Sequence, residues 1–130
     1  MSGINIPPLM DERDFFDRLA PTWDANETLS TPAHVRHILS HAGIKRGDRV
    51  LDLGTGTGVL LPAIAEITGP GGLITAVDYS TGMLDIARSK FADLTPRPEF
   101  RCMDFETETI PGEYDHIILS FLVMVLFLRL

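Results

Sequence analysis

Val50-Leu51-Asp52-Leu53-Gly54-Thr55-Gly56-Thr57-Gly58 is the stretch that decides the fold. Its first half, with Arg49 before it, reads as a short buried strand. The glycines at 54, 56 and 58 let the backbone turn tightly from that strand into a helix. They also remove the β-carbons that keep a ligand away from the chain. A ligand there lies beside the carboxyl end of the first strand, where open α/β sheets bind their ligands.

Working outward, residues 59–68 are apolar and helical, with Pro62 tolerated in the first turn and Gly69-Pro70-Gly71-Gly72 as the stop. Residues 73–77 form a second strand ending at Asp78. Ser80 is placed to cap a helix over 81–91, with Met83, Leu84, Ile86 and Ala87 available for packing. Pro96 and Pro98 mark a loop, residues 99–103 a third strand, Pro111-Gly112 a turn, and His116 the start of a fourth strand. Upstream, Thr31-Pro32 opens a helix running to about His41, with Val35, Ile38 and Leu39 inward and Gly43 as its C-cap. Phe15, Phe16, Leu19, Ala20 and Trp23 share one face of an earlier helix that Pro21 interrupts. Strands separated by helices imply parallel βαβ units with right-handed crossovers. The predicted class is α/β, a doubly wound parallel sheet with helices on both faces and N-terminal helices before it. Residues 1–45 form the helical lead-in and 46–130 the sheet domain.

At 130 residues the chain holds one domain, and 45% hydrophobic with 22% charged residues is an ordinary globular composition. The net charge of −7 argues against nucleic acid or anionic membrane as a partner. Cys102 stands alone, so no internal disulfide forms, and a cytoplasmic location is the simplest reading. Residues 1–10 lack a signal-peptide pattern. Residues 117–128, apolar except for Ser120, fall short of the roughly 18 residues of a membrane span. His34, His37 and His41 have no second ligand-rich segment, so they read as a solvated helix face and no metal is expected.

The ligand follows from the loop. A dinucleotide fingerprint, G-x-G-x-x-G, would need glycine where Val59 stands. Asp52, two residues before Gly54, reads as an acidic group at the mouth of the loop that repels an anion and favours a cationic ligand. Asp78, about 20 residues beyond the glycines, suits the vicinal hydroxyls of a ribose. Its alternative role is to cap the next helix.

Residues 52–58, Asp52-Leu53-Gly54-Thr55-Gly56-Thr57-Gly58, resemble the first motif of class I (Rossmann-like) methyltransferases that use S-adenosylmethionine (SAM). SAM carries an ammonium and a sulfonium, which matches the acidic loop. Val77-Asp78-Tyr79-Ser80-Thr81-Gly82-Met83-Leu84 resembles the second motif. The resemblance implies that Asp52, Gly54, Thr55, Gly56 and Gly58 hold the amino-acid part of SAM, and that Asp78 with Tyr79 holds the ribose. Met83 is either an adenine contact or a core side chain. Cys102-Met103-Asp104-Phe105 matches the place where the family puts an acidic acceptor for the adenine amino group, with Met103 or Phe105 beside the ring, although the usual preceding glycine is absent. Asp104 as a plain exposed loop residue is the other reading. Tyr114-Asp115-His116-Ile117-Ile118-Leu119-Ser120 resembles the fourth motif and adds Ser120. The segment Phe15 to Asp24 is similar to the lead-in of small-molecule methyltransferases such as those of quinone biosynthesis.

The resemblance covers roughly residues 11–120, and an apolar run follows where the family continues with polar residues. The family sheet has seven strands and four are accounted for, in the order 3-2-1-4 that the family resemblance implies. Truncation is the simplest expectation, and it leaves an exposed sheet edge open to self-association. The implied function is methyl transfer from SAM to a small-molecule acceptor. The alternatives are a truncated, non-catalytic SAM-binding fragment and a nicotinamide-dependent oxidoreductase.

Overall fold

The computed structural model describes residues 32–121 and 124–129. The expected helix over 11–23 and the Thr31 cap lie outside the described residues. The elements are α1 (Pro32–Leu39), β1 (Arg49–Leu53), α2 (Leu61–Thr68), β2 (Leu73–Asp78), α3 (Thr81–Phe91), β3 (Glu99–Cys102), β4 (His116–Phe121) and β5 (Met124–Arg129).

One sheet has the order β3-β2-β1-β4-β5. β1 to β4 are mutually parallel and stand in the order 3-2-1-4 that the family resemblance implies. β1 is buried along Val50, Leu51, Asp52 and Leu53 because it has neighbours on both sides and cover on both faces. The chain steps from β1 through β2 to β3 on one side and returns to β4 on the other. The carboxyl ends of β1 and β4 therefore flank the point where the winding reverses.

β5 departs from expectation. It pairs antiparallel with β4, from His116 opposite Arg129 to Phe121 opposite Met124. The outer edge of β4, expected to stand open for self-association, is occupied by the chain's own apolar continuation. Antiparallel neighbours can be joined by a very short connection, so the apolar run closes back at once.

Two apolar clusters sandwich the sheet. The first joins Val35 and Leu39 of α1, Leu61, Ala63, Ile64 and Ala65 of α2, and the strand residues Val50, Ile74, Ala76 and Ile118. Phe91, at the end of α3, packs against it. The second is built on Leu51, Leu53 and Val77 and is covered by Met103, Phe105, Ile110 and Tyr114 of the β3–β4 loop. Among the described residues, the core on that face draws on a loop rather than a helix. Each fully buried Leu or Ile contributes about 1.5–3 kcal/mol.

Element ends shift for identifiable reasons. α2 begins at Leu61 rather than Val59 because tight turns precede it, with Gly58 N donating to Thr55 O and Leu61 N to Gly58 O. α1 ends at Leu39, and its last turn tightens through bonds from His41 N to Ile38 O and Ala42 N to Leu39 O. β3 stops at Cys102, one residue early, yet Met103 N still donates to Asp78 O.

The far end of the sheet is tied by charge. Arg49 donates from its backbone N and from Nε to Asp115 Oδ2, and from Nη2 to Oδ1. The Arg49 side chain, and then its backbone N–H, hold the Asp115 carboxyl below the ordinary aspartate value of 3.8. A carboxyl depressed in the folded state stabilises the fold above its unfolded pKa, and that contribution fades as pH falls through the folded value. The pair is exposed, so its effect is small. Urea midpoints from neutral pH down to below the folded value should fall less steeply for Asp115→Asn than for the parent. Parallel pH profiles would contradict this.

Candidate cofactor site

The site is built at the carboxyl ends of β1, β2 and β3. The backbone leaves β1 at Leu53 and turns at once, with Gly54 N and Thr55 N both donating to Val77 O, at 2.8 and 3.0 Å. The loop is thereby stapled to the end of β2. Two glycines in it serve different ends. A β-carbon on Gly58 would lie 2.8 Å from Phe91 Cδ2 and 2.9 Å from Leu61 Cδ1, so Gly58 lets α2 and α3 pack closely under the loop. A β-carbon on Gly56 would meet nothing within 4 Å. That bare, open position is the one a ligand can approach.

Asp52 is not at an open mouth, as the sequence suggested. It is 0% exposed, enclosed because β1 is central. Its Oδ2 accepts from Thr55 Oγ1 at 2.8 Å, and Thr55 is itself buried. The two residues brace the loop from inside.

Asp78 ends β2 and is 6% exposed. Its Oδ2 accepts from Gly56 N at 2.8 Å and its Oδ1 from Ser80 N at 3.0 Å. The two amides grip opposite oxygens and so fix the direction of the carboxylate. The cap of α3 is Ser80, whose Oγ accepts from Met83 N at 3.2 Å. Asp78 is therefore not needed as the α3 cap. The amides of Gly56 and Ser80 as partners of Asp78 carry no signal in the sequence, since any residue supplies a backbone N–H.

Met83 is 2% exposed, a core position in this conformation. Tyr79 is half-buried, and its carbonyl accepts from the thiol of Cys102, the exposed residue that pairs with Asp78 across β2 and β3. Asp104 follows β3 and shapes a turn: its Oδ1 accepts from Glu106 N, and its own N donates to Glu108 Oε2. It is half-buried rather than a freely exposed loop residue. Phe105 packs against the second cluster. Ser120 lies in β4 opposite Val125. The structure thus gathers residues 54–58, Asp78, Tyr79 and Asp104 along one end of the sheet, with Asp52 and Met83 beneath. No group of His, Cys, Asp and Glu fit for a metal occurs among the described residues.

An open glycine beside a carboxylate at the carboxyl end of the sheet fits a nucleoside cofactor whose chain lies along bare backbone. Comparison with known proteins agrees. The chain is 30% identical over 115 residues to the demethylmenaquinone methyltransferase of Lactobacillus johnsonii, a match covering 85% of this chain and 47% of that enzyme. The chain spans about half the length of the curated relatives it matches. Coclaurine N-methyltransferase, crystallised with N-methylheliamine and S-adenosylhomocysteine (SAH), superposes with a TM-score of 0.60 at 27% identity, over 67% of this chain and 26% of that one. The CcbJ methyltransferase of Streptomyces caelestis shares the fold, with a TM-score of 0.68 at 24% identity over 86% of this chain and 45% of its own. A family model described as a methyltransferase domain matches residues 50–128, and so runs past Ser120 into the apolar tail where the sequence motifs had given out. On that match, which spans the glycine loop and the strand ends of the site, the chain belongs to the methyltransferase-domain family.

Proposed function

We propose that the chain binds SAM across the carboxyl ends of β1 to β3 and serves methyl transfer to a small-molecule acceptor. One observation carries this reading. The Asp78 carboxylate, aimed by the amides of Gly56 and Ser80, ends β2 beside Gly56, where no side chain fills the space. A ribose diol suits the first and an extended amino-acid tail the second.

In this reading Asp78 and Tyr79 line the ribose subsite, while Gly54, Gly56 and Thr55 line the amino-acid subsite. Asp104 and Phe105 border the adenine above the core residue Met83, and Ser120 is a further cofactor-site position in β4. Gly58 and Asp52 support the loop from below. When bound, SAM supplies an electrophilic methyl group on its sulfonium. The chain's own contribution is to hold that group in line with an acceptor, since displacement at carbon depends chiefly on distance and alignment. A quinol ring is the acceptor suggested by the demethylmenaquinone relative. Among the described residues no helix is long and apolar enough to cross a membrane. The lone, exposed thiol of Cys102 supports a reducing, cytoplasmic setting.

Titration calorimetry with SAM and with NADH tests the reading. SAM should bind with a dissociation constant of about 1–100 μM, or about −8 to −5 kcal/mol, and NADH should not bind. NADH binding without SAM binding would replace the methyltransferase reading with an oxidoreductase one. SAM binding without transfer to any quinol would leave a binding fragment.

A further inference from the structure

We propose that Asp78 is a positioning residue for the amino-acid end of the cofactor as well as a contact for its ribose. The proposal rests on the SAM reading above.

The argument starts from how the loop is held. Gly54 N and Thr55 N share a single acceptor, Val77 O. Gly58 N turns back onto Thr55 O within the loop itself. Between them, Gly56 has a φ of +59° and no side chain to anchor it. Its N–H reaches across to β2 at Asp78 Oδ2, 2.8 Å away. The same carboxylate is fixed on its other oxygen by Ser80 N at the start of α3. The tip of the glycine loop is therefore set by the side chain that also faces the ribose site. A charge-assisted bond of this kind is stronger than a neutral one and holds direction well. Ligand atoms lying along residues 54–56 find that backbone already in place, whereas ligand atoms confined to the nucleoside do not depend on it.

Two ligands separate the roles. SAH carries both nucleoside and amino-acid portions, and 5′-methylthioadenosine carries the nucleoside alone. Calorimetry on the parent chain and on Asp78→Ala should show methylthioadenosine weakened by about tenfold and SAH by at least about tenfold more. Equal losses for the two ligands would confine Asp78 to the ribose and overturn the proposal. General loosening of the fold would also weaken both alike. If Asp78→Ala does not fold, hydrogen exchange on the parent chain decides instead. Methylthioadenosine, which reaches Asp78 but not the loop, should slow exchange of the Gly56 amide by at least about tenfold. An unchanged rate would overturn the proposal. Failure of the parent chain to bind either ligand would remove the SAM reading itself, and the proposal with it.

Discussion

Gly58→Ala should destabilise the fold by about 2–5 kcal/mol, seen as a lower urea midpoint at unchanged slope. Two costs combine. Gly58 has a φ of +86°, where an L-residue is strained by about 1–2 kcal/mol. The added methyl would also meet Phe91 Cδ2 at 2.8 Å, Leu61 Cδ1 at 2.9 Å and Phe91 Cε2 at 3.0 Å. Relieving such overpacking costs about 1–3 kcal/mol. Leu61 is fully buried, so its side chain has little room to retreat. Phe91 is half-buried and can yield more. This predicts a specific coupling: Phe91→Leu should recover part of the loss in Gly58→Ala, although by itself it removes apolar packing. A double-mutant cycle measures that recovery. Strict additivity of the two substitutions would show that backbone strain alone is responsible, and a loss below about 1 kcal/mol would contradict both terms.

The sequence was most legible where local chemistry is strong. Ser80 caps α3, which runs over Thr81–Phe91 as its pattern implied, and the glycine loop follows β1 directly. Parallel pairing of the first three strands followed from alternation and handedness, whereas the order 3-2-1-4 came from the family resemblance. What stayed hidden depends on neighbours distant in the chain. Asp52 reads as an open acidic group beside three glycines, yet the strands on either side of β1 leave it no exposure. The glycines look equivalent in sequence, and only the arrival of Phe91 from α3 distinguishes Gly58 from Gly56. The fate of the apolar tail was equally open. Twelve mostly apolar residues are compatible with one long strand or with two short ones, and hairpin closure onto β4 is a tertiary choice. At Asp78 the residue and its place at the end of the second strand were legible in sequence. The sequence was silent on the two backbone amides that aim the carboxylate.

The contrast between the two glycines gives the sharpest test of the site. Gly56→Val should weaken SAM binding by at least about a hundredfold, or about 2.7 kcal/mol. Its cost to stability should be limited to backbone strain of about 1–2 kcal/mol at a φ of +59°. The space around Gly56 is empty of protein atoms within 4 Å of a β-carbon, so the β-carbon itself strikes no protein atom. The new side chain occupies instead the volume in which the amino-acid tail of the cofactor would lie. Gly58→Ala is the counterpart, since its methyl points into the packing beneath the loop and should cost stability first. Calorimetry and urea unfolding on both variants therefore yield a crossed pattern: one variant folds well and binds poorly, and the other folds poorly yet, where folded, retains most of its affinity. If Gly56→Val bound SAM as tightly as the parent chain, the open face of the loop would not be where the cofactor rests. The ligand would then have to be sought on a different part of the sheet end.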